Sequence, residues 1–175
     1  EDLIGFENTI FDNITVLYDD NVLTLISQDI ELNNVSLIDT YNNGMFGSVY
    51  LLSFNISVNN SKFIRNQAPN GAGASLFIDY DQGANISQHM TLDNNLFINN
   101  TSLEGTVLHY ILGNIEFSGS NNYLENNIGS AETGSIIYFS GCEIREFYLK
   151  NTTILYNDKH PKFMNVFDFT RIEVL

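Results

Sequence analysis

The sequence predicts an all-β fold, a parallel β-helix (solenoid) of about six three-stranded coils. Three observations predict it. An apolar anchor followed three residues later by asparagine recurs along the chain. The recurrences fall 26 to 34 residues apart, the period of solenoids. Between them, apolar residues alternate with period two, as strands do, and no 3.6-residue stripe survives the frequent Asn, Gly and β-branched residues.

The first strand of each coil carries the anchor: Ile10, Leu37, Phe63, Phe97, Tyr123 and Ile154. Three residues on stand Asn13, Thr40, Asn66, Asn100, Asn126 and Asn157. A second strand follows, centred on Leu23, Tyr50, Leu76, Leu108, Ile137 and Phe167. The third carries alternating pairs: Ile30 and Leu32, Ile56 and Val58, Met90 and Leu92, Ile115 and Phe117, Phe147 and Leu149, Ile172 and Val174. The stretch GAGA at 71–74 is then a turn before the second strand, with equivalents at Gly47, Gly105 and Gly134. A phosphate-cradling loop would need a following helix and a Lys-Ser/Thr pair, and a strand follows instead.

Five of the six residues in the follower column are asparagine, which tolerates unusual backbone angles and bonds the local main chain. Stacked from coil to coil and turned inward, such amides would satisfy one another where water cannot reach. On that reading Asn13 and Asn100 point inward and carry no glycan.

The pairing of Phe63/Asn66 with GAGASL, Phe97/Asn100 with EGTVL and Tyr123/Asn126 with TGSII resembles the polymorphic outer membrane protein type of repeat. In that family an FxxN element precedes a GGAI-like element. The resemblance covers the middle of the chain, with the doubled glycine degraded. It implies a right-handed β-helix of the pectate-lyase-like kind, used in surface-exposed adhesins and passenger domains.

The 175 residues read as a single β-helix segment, 1–175, of a longer array, because solenoids need caps and none is visible at either end. Seven Lys and Arg against 21 Asp and Glu give a net charge of −14. That excludes nucleic acid and anionic lipid as natural partners. No apolar run is long enough for a membrane span. The lone cysteine, Cys142, allows no internal disulfide. Eight N-x-S/T acceptor motifs, at Asn13, Asn34, Asn55, Asn59, Asn85, Asn99, Asn100 and Asn151, are about twice the roughly three or four expected at random. They point to an extracellular or cell-surface location, with Asn34, Asn55, Asn59, Asn85 and Asn151 as the glycosylation sites.

No catalytic residue, cofactor site or metal site is expected. His89, His109 and His160 fall in different segments without ligand spacing. Asp79 and Asp168 fall in different columns, Asp19-Asp20 reads as a solvated turn doublet, and no pair of carboxylates is expected to project from one sheet. The second-strand face reads as apolar and outward, with Val49, Leu51, Phe77, Val107, Ile136 and Tyr138 as a docking interface for a protein partner. The expectation is a non-enzymatic structural or adhesive module that assembles laterally or end to end. The alternative is part of a carbohydrate-active β-helix whose catalytic coils lie elsewhere.

Overall fold

The computed structural model describes residues 2–17, 20–79, 87–130 and 136–155, with the strands Met164–Val166 and Glu173–Val174. Of the expectations above, those on Asp19, Asn85, Gly134, Asn157, His160, Phe167, Asp168 and Ile172 lie outside the described residues. The chain is an all-β solenoid of about five turns, every strand pairing parallel to its equivalent one coil away. No helix occurs among the described residues.

Three sheets run along the axis. The short sheet stacks six anchor strands: Ile10–Asp12, Ser36–Ile38, Lys62–Ile64, Leu96–Ile98, Tyr123–Glu125 and Thr153–Leu155. A five-stranded sheet follows it, through Thr15–Val16, Tyr41–Asn42, Gln67–Ala72, Thr101–Glu104 and Ile128–Gly129. This sheet corrects the expectation of a plain turn there: most of the gap before GAGA is extended backbone, and the coils have four strand segments rather than three. The third sheet has eleven strands and holds both the second and the third segments of each coil. In its later coils the two segments run together, as Leu108–Ser120 and Ile137–Lys150, so Cys142 lies within a strand.

The register places Phe11, Leu37, Phe63, Phe97, Leu124 and Ile154 in one column. The anchors of the first and fifth coils are therefore Phe11 and Leu124, each one residue after the expected Ile10 and Tyr123. Ile10 is exposed, whereas Phe63 and Phe97 are fully buried and stack at 4.9 Å, 7° from parallel. In the second segment Val49, not Tyr50, aligns with Leu23 and Leu76. In the third, Phe117 and Gly119 align with Met90 and Leu92, so the inward pair is displaced by two residues from Ile115 and Phe117. Phe117 then stacks on Phe147 at 4.8 Å. Full burial of such a side chain is worth about 1.5–3 kcal/mol.

Both corners that flank the short sheet follow one rule. A residue with φ near +50° turns the chain, and the next residue points into the core. The entry corner uses Asn8, Asn34, Asn60, Asn94, Asn121 and Asn151. The exit corner uses Asn13, Asp39, Arg65, Asn99 and Asn126. L-residues pay for this backbone, and asparagine pays least after glycine. Asn13 is consequently a corner residue, exposed, and the expectation that it points inward is overturned; the position behind it is Ile14.

Behind the exit corner runs the expected amide ladder, in Thr40, Asn66, Asn100 and, in place of the expected Asn126, which takes the corner, Asn127. Asn100 Oδ1 accepts from the Asn66 backbone N–H at 3.0 Å, while its Nδ2 donates to Phe63 O at 2.9 Å and Asn127 Oδ1 at 2.8 Å. Thr40 caps the line, its Oγ1 donating to Asn66 Oδ1 at 2.8 Å. A second ladder stands behind the entry corner. The N–H of Val35 donates to Ser61 Oγ, that of Ser61 to Asn95 Oδ1 and that of Asn95 to Asn122 Oδ1, at 2.9–3.1 Å. Asn95 and Asn122 return their Nδ2 groups to the carbonyls of Val58 and Leu92. These bonds satisfy main-chain groups that the turns strip from the sheets.

Between the five-stranded sheet and the long one, the coils approach so closely that side chains are excluded. A Cβ on Gly47 would lie 1.5 Å from the Gly73 carbonyl oxygen, and Gly73 itself sits at φ +69°.

Candidate functional site

The expected docking face is interior. Val49 and Leu51 are 0% exposed and belong to the inward columns of the second segment. Val107 and Ile136, at the start of the segment, are buried in the same core. For Val49 and Leu51 the physical reason is a one-residue phase error: with Val49 rather than Tyr50 inward, the outward column becomes Thr24, Tyr50, Phe77, His109 and Tyr138. Phe77 and Tyr138 do lie on the outer side, yet they too are covered.

That column is an aromatic stack. Ring centroids are 5.8 Å apart for Tyr50–Phe77, 5.1 Å for Phe77–His109 and 4.8 Å for His109–Tyr138. Phe46 packs on Phe77 at 4.7 Å and on the edge of Tyr50. Burial lowers His109 to about 4, against the partial opposition of its bond to the Glu104 backbone, and its Nδ1 has no hydrogen-bond partner. Burial raises Tyr50, reinforced by its 2.7 Å bond to Asp79 Oδ2, and burial raises Tyr138, with the Glu104 charge adding to it. The stack is a structural element that seals one face of the long sheet.

The open side chains stand instead on the outer face of the third segments. There the register brings His89, Glu116 and Glu146 into one row across neighbouring strands, with Asn55 and Asp29 continuing it. A parallel row holds Glu31, Ser57, Thr91, Ser118 and Tyr148. The two-residue displacement of the inward pair sets Glu116 beside His89, and an irregularity in which the register skips Arg145 at the Ile115–Glu116 step sets it beside Glu146. Two carboxylates thus project from adjacent strands, contrary to the expectation that none would.

His89 Nδ1 lies 3.0 Å from Glu116 Oε2, and Asn55 Nδ2 donates to Asp29 Oδ1 at 2.6 Å. Two grooves of about 320 and 270 Å³ follow these rows and share His89 and Thr91, forming one trough along the axis. Four coil spacings separate Asp29 from Glu146, about 19 Å at the usual interstrand distance. Arg145, beside the trough, donates from Nη1 to Ser87 Oγ at 2.8 Å. No trio of His, Cys, Asp or Glu among the described residues is disposed to hold a metal ion.

Of the expected glycosylation sites, Asn34, Asn55 and Asn151 are exposed, and Asn59 is half-buried with its Nδ2 donated to Ser57 Oγ. No helix among the described residues is long and apolar enough to cross a membrane. No protein-family model, curated protein or solved structure matches the chain.

Proposed function

We propose that this chain is a non-enzymatic structural or adhesive module of the extracellular or cell-surface kind, a stiff rod that binds a protein partner through its axial trough. The observation that supports this most is the trough itself. Its polar side chains come from successive coils whose spacing is fixed by two amide ladders, one of them at the corner where the trough's own strands end. A site spread along a rigid axis suits an extended partner better than a small substrate. The repeat pattern fits the polymorphic outer membrane protein type, whose β-helices are surface-exposed.

The test is adhesion. Beads coated with the chain are compared with beads carrying Glu116→Lys and Glu146→Lys together, and with Lys62→Glu on the short sheet. Loss of adhesion to cells of the source in the first variant alone supports the reading. Equal adhesion of all three sinks it.

One arrangement favours a second reading, a carbohydrate-active β-helix. Glu116 and Glu146 stand on adjacent strands, about 4.8 Å apart at the backbone, near the separation at which two carboxylates share glycoside cleavage. Against it, Glu146 is exposed and the Glu116 side chain is 35% exposed, so the pair stands open to water. Release of reducing ends from a panel of polysaccharides, abolished by Glu146→Gln, would replace the first reading with this one.

A further inference from the structure

Four of the eight acceptor motifs occupy one structural position. Asn13, Asn34, Asn99 and Asn151 are all corner residues with φ between +49° and +56°, and all are exposed. In each the middle residue of the motif points inward, so the hydroxyl residue, Thr15, Ser36, Thr101 or Thr153, returns to the outer side at the start of a strand. Asn100 differs. It is 0% exposed, and both N–H bonds of its Nδ2 are committed, to Phe63 O and Asn127 Oδ1.

We infer that Asn13, Asn34, Asn99 and Asn151 carry N-linked glycans in the folded protein and that Asn100 does not. The inference rests on the surface location proposed above. The sugar donor is a lipid-diphosphate-linked oligosaccharide. A bond forms between the amide Nδ2 and the anomeric carbon, the anomeric C–O bond to the diphosphate breaks, one amide proton leaves, and the lipid diphosphate departs.

The product keeps a single N–H. Asn34 and Asn151 spend only one in the structure, on Asn8 Oδ1 and Asn121 Oδ1, so a glycan costs them no bond. No side-chain hydrogen bond holds the amide of Asn13 or Asn99 among the described residues. At Asn100 the same reaction would remove a bond of the ladder and drive a sugar into the core. Any chain modified there would fail to close its fourth coil.

The two corner columns border the short sheet on both sides. Between them the outward residues Ile38, Ile64 and Ile98 form a half-buried apolar stripe. Glycans on the corners would overhang this stripe and keep it from pairing with other surfaces. They leave the trough, on the long sheet, open.

The full chain is secreted from a eukaryotic host behind an added signal, and the folded fraction is mapped by glycopeptide mass spectrometry after enzymatic release in heavy-oxygen water. Heavy label at all four corner asparagines and none at Asn100 is expected. Thr101→Ala removes the acceptor at Asn99 and leaves the one at Asn100 intact. In that variant the peptide is expected to lose its glycan entirely. Sugar on Asn100 in folded protein of either form, or bare corners throughout, overturns the inference. Because secretion is imposed, these outcomes are independent of the natural location, which surface labelling of the source cells reads separately.

Discussion

Replacing Asn100 with leucine tests what the inner ladder is worth. The substitution keeps the volume and removes both polar functions. The N–H of Asn66 then loses its acceptor and the carbonyl of Phe63 its side-chain donor, both in a part of the core that water does not enter. An orphaned buried N–H costs about 1–3 kcal/mol, and Phe63 O, which keeps its place in the parallel ladder with the Leu96–Ile98 strand, adds less. The Asn127 side chain retains the main-chain N–H of residue 100, so that group is not orphaned. A domain of this size has about 5–15 kcal/mol in total, so the variant loses a sizeable share of its stability. The neighbouring Asn99→Ala separates corner from ladder: it pays only for a left-handed backbone, about 1–2 kcal/mol. Urea titrations followed by far-UV circular dichroism give both values. Asn100→Leu within about 1 kcal/mol of the parent, or less damaging than Asn99→Ala, would refute the ladder as the source of coil-to-coil cohesion.

Burial of His109 makes stability fall in acid: its folded value of about 4 lies below the ordinary 6.5, so the contribution is present above 6.5 and lost as pH falls through 4. At about 1.4 kcal/mol per pH unit this amounts to about 3 kcal/mol, seen as the difference in pH dependence between the parent and His109→Phe. Parallel curves for the two would refute it. Gly47→Ala forces a Cβ onto the Gly73 carbonyl and should cost on the order of 3 kcal/mol or prevent folding. Gly5→Ala, whose Cβ would meet nothing closer than 3.8 Å, should stay within about 0.5 kcal/mol in the same denaturation assay.

The solenoid was legible because the three-residue step from Phe63 to Asn66 and from Phe97 to Asn100 chose the inward residue where apolar neighbours, Ile64, Leu96 and Ile98, left the alternation open. Elsewhere the choice between adjoining apolar residues fell on the wrong member: Ile10 and Phe11, Val49 and Tyr50, Tyr123 and Leu124. A period-two pattern carries no information about which of such a pair points inward, and a slip of one residue exchanges the two faces. That slip is what turned Val49 and Leu51 into an imagined docking surface. The same ambiguity afflicts the asparagines, which come as doublets at 94–95, 99–100, 121–122 and 126–127. The first of each doublet takes the left-handed corner and the second joins a ladder. Their recurrence five residues apart, around a three-residue strand, was the available signal for the second ladder. The shift that aligns Glu116 with Glu146 had no such signal, because a local irregularity in one strand leaves the composition of the repeat unchanged.

The corner rule also changes what the asparagine count means. A coil of this kind asks for asparagine at two left-handed corners and again one residue later, wherever the ladder is built from amides. Two residues past a corner the chain re-enters a strand on its outer side, where serine and threonine are common. The fold therefore manufactures N-x-S/T motifs as a by-product of its turns, at Asn13, Asn34, Asn99 and Asn151. An excess over random placement is expected of this architecture in any compartment. The number of motifs then carries little weight about location, and their individual environments carry more. Asn99 and Asn100 head overlapping motifs at one strand boundary, and their amides face opposite sides of the wall. Occupancy at one and not the other would show that the folded wall, rather than the motif, selects the site.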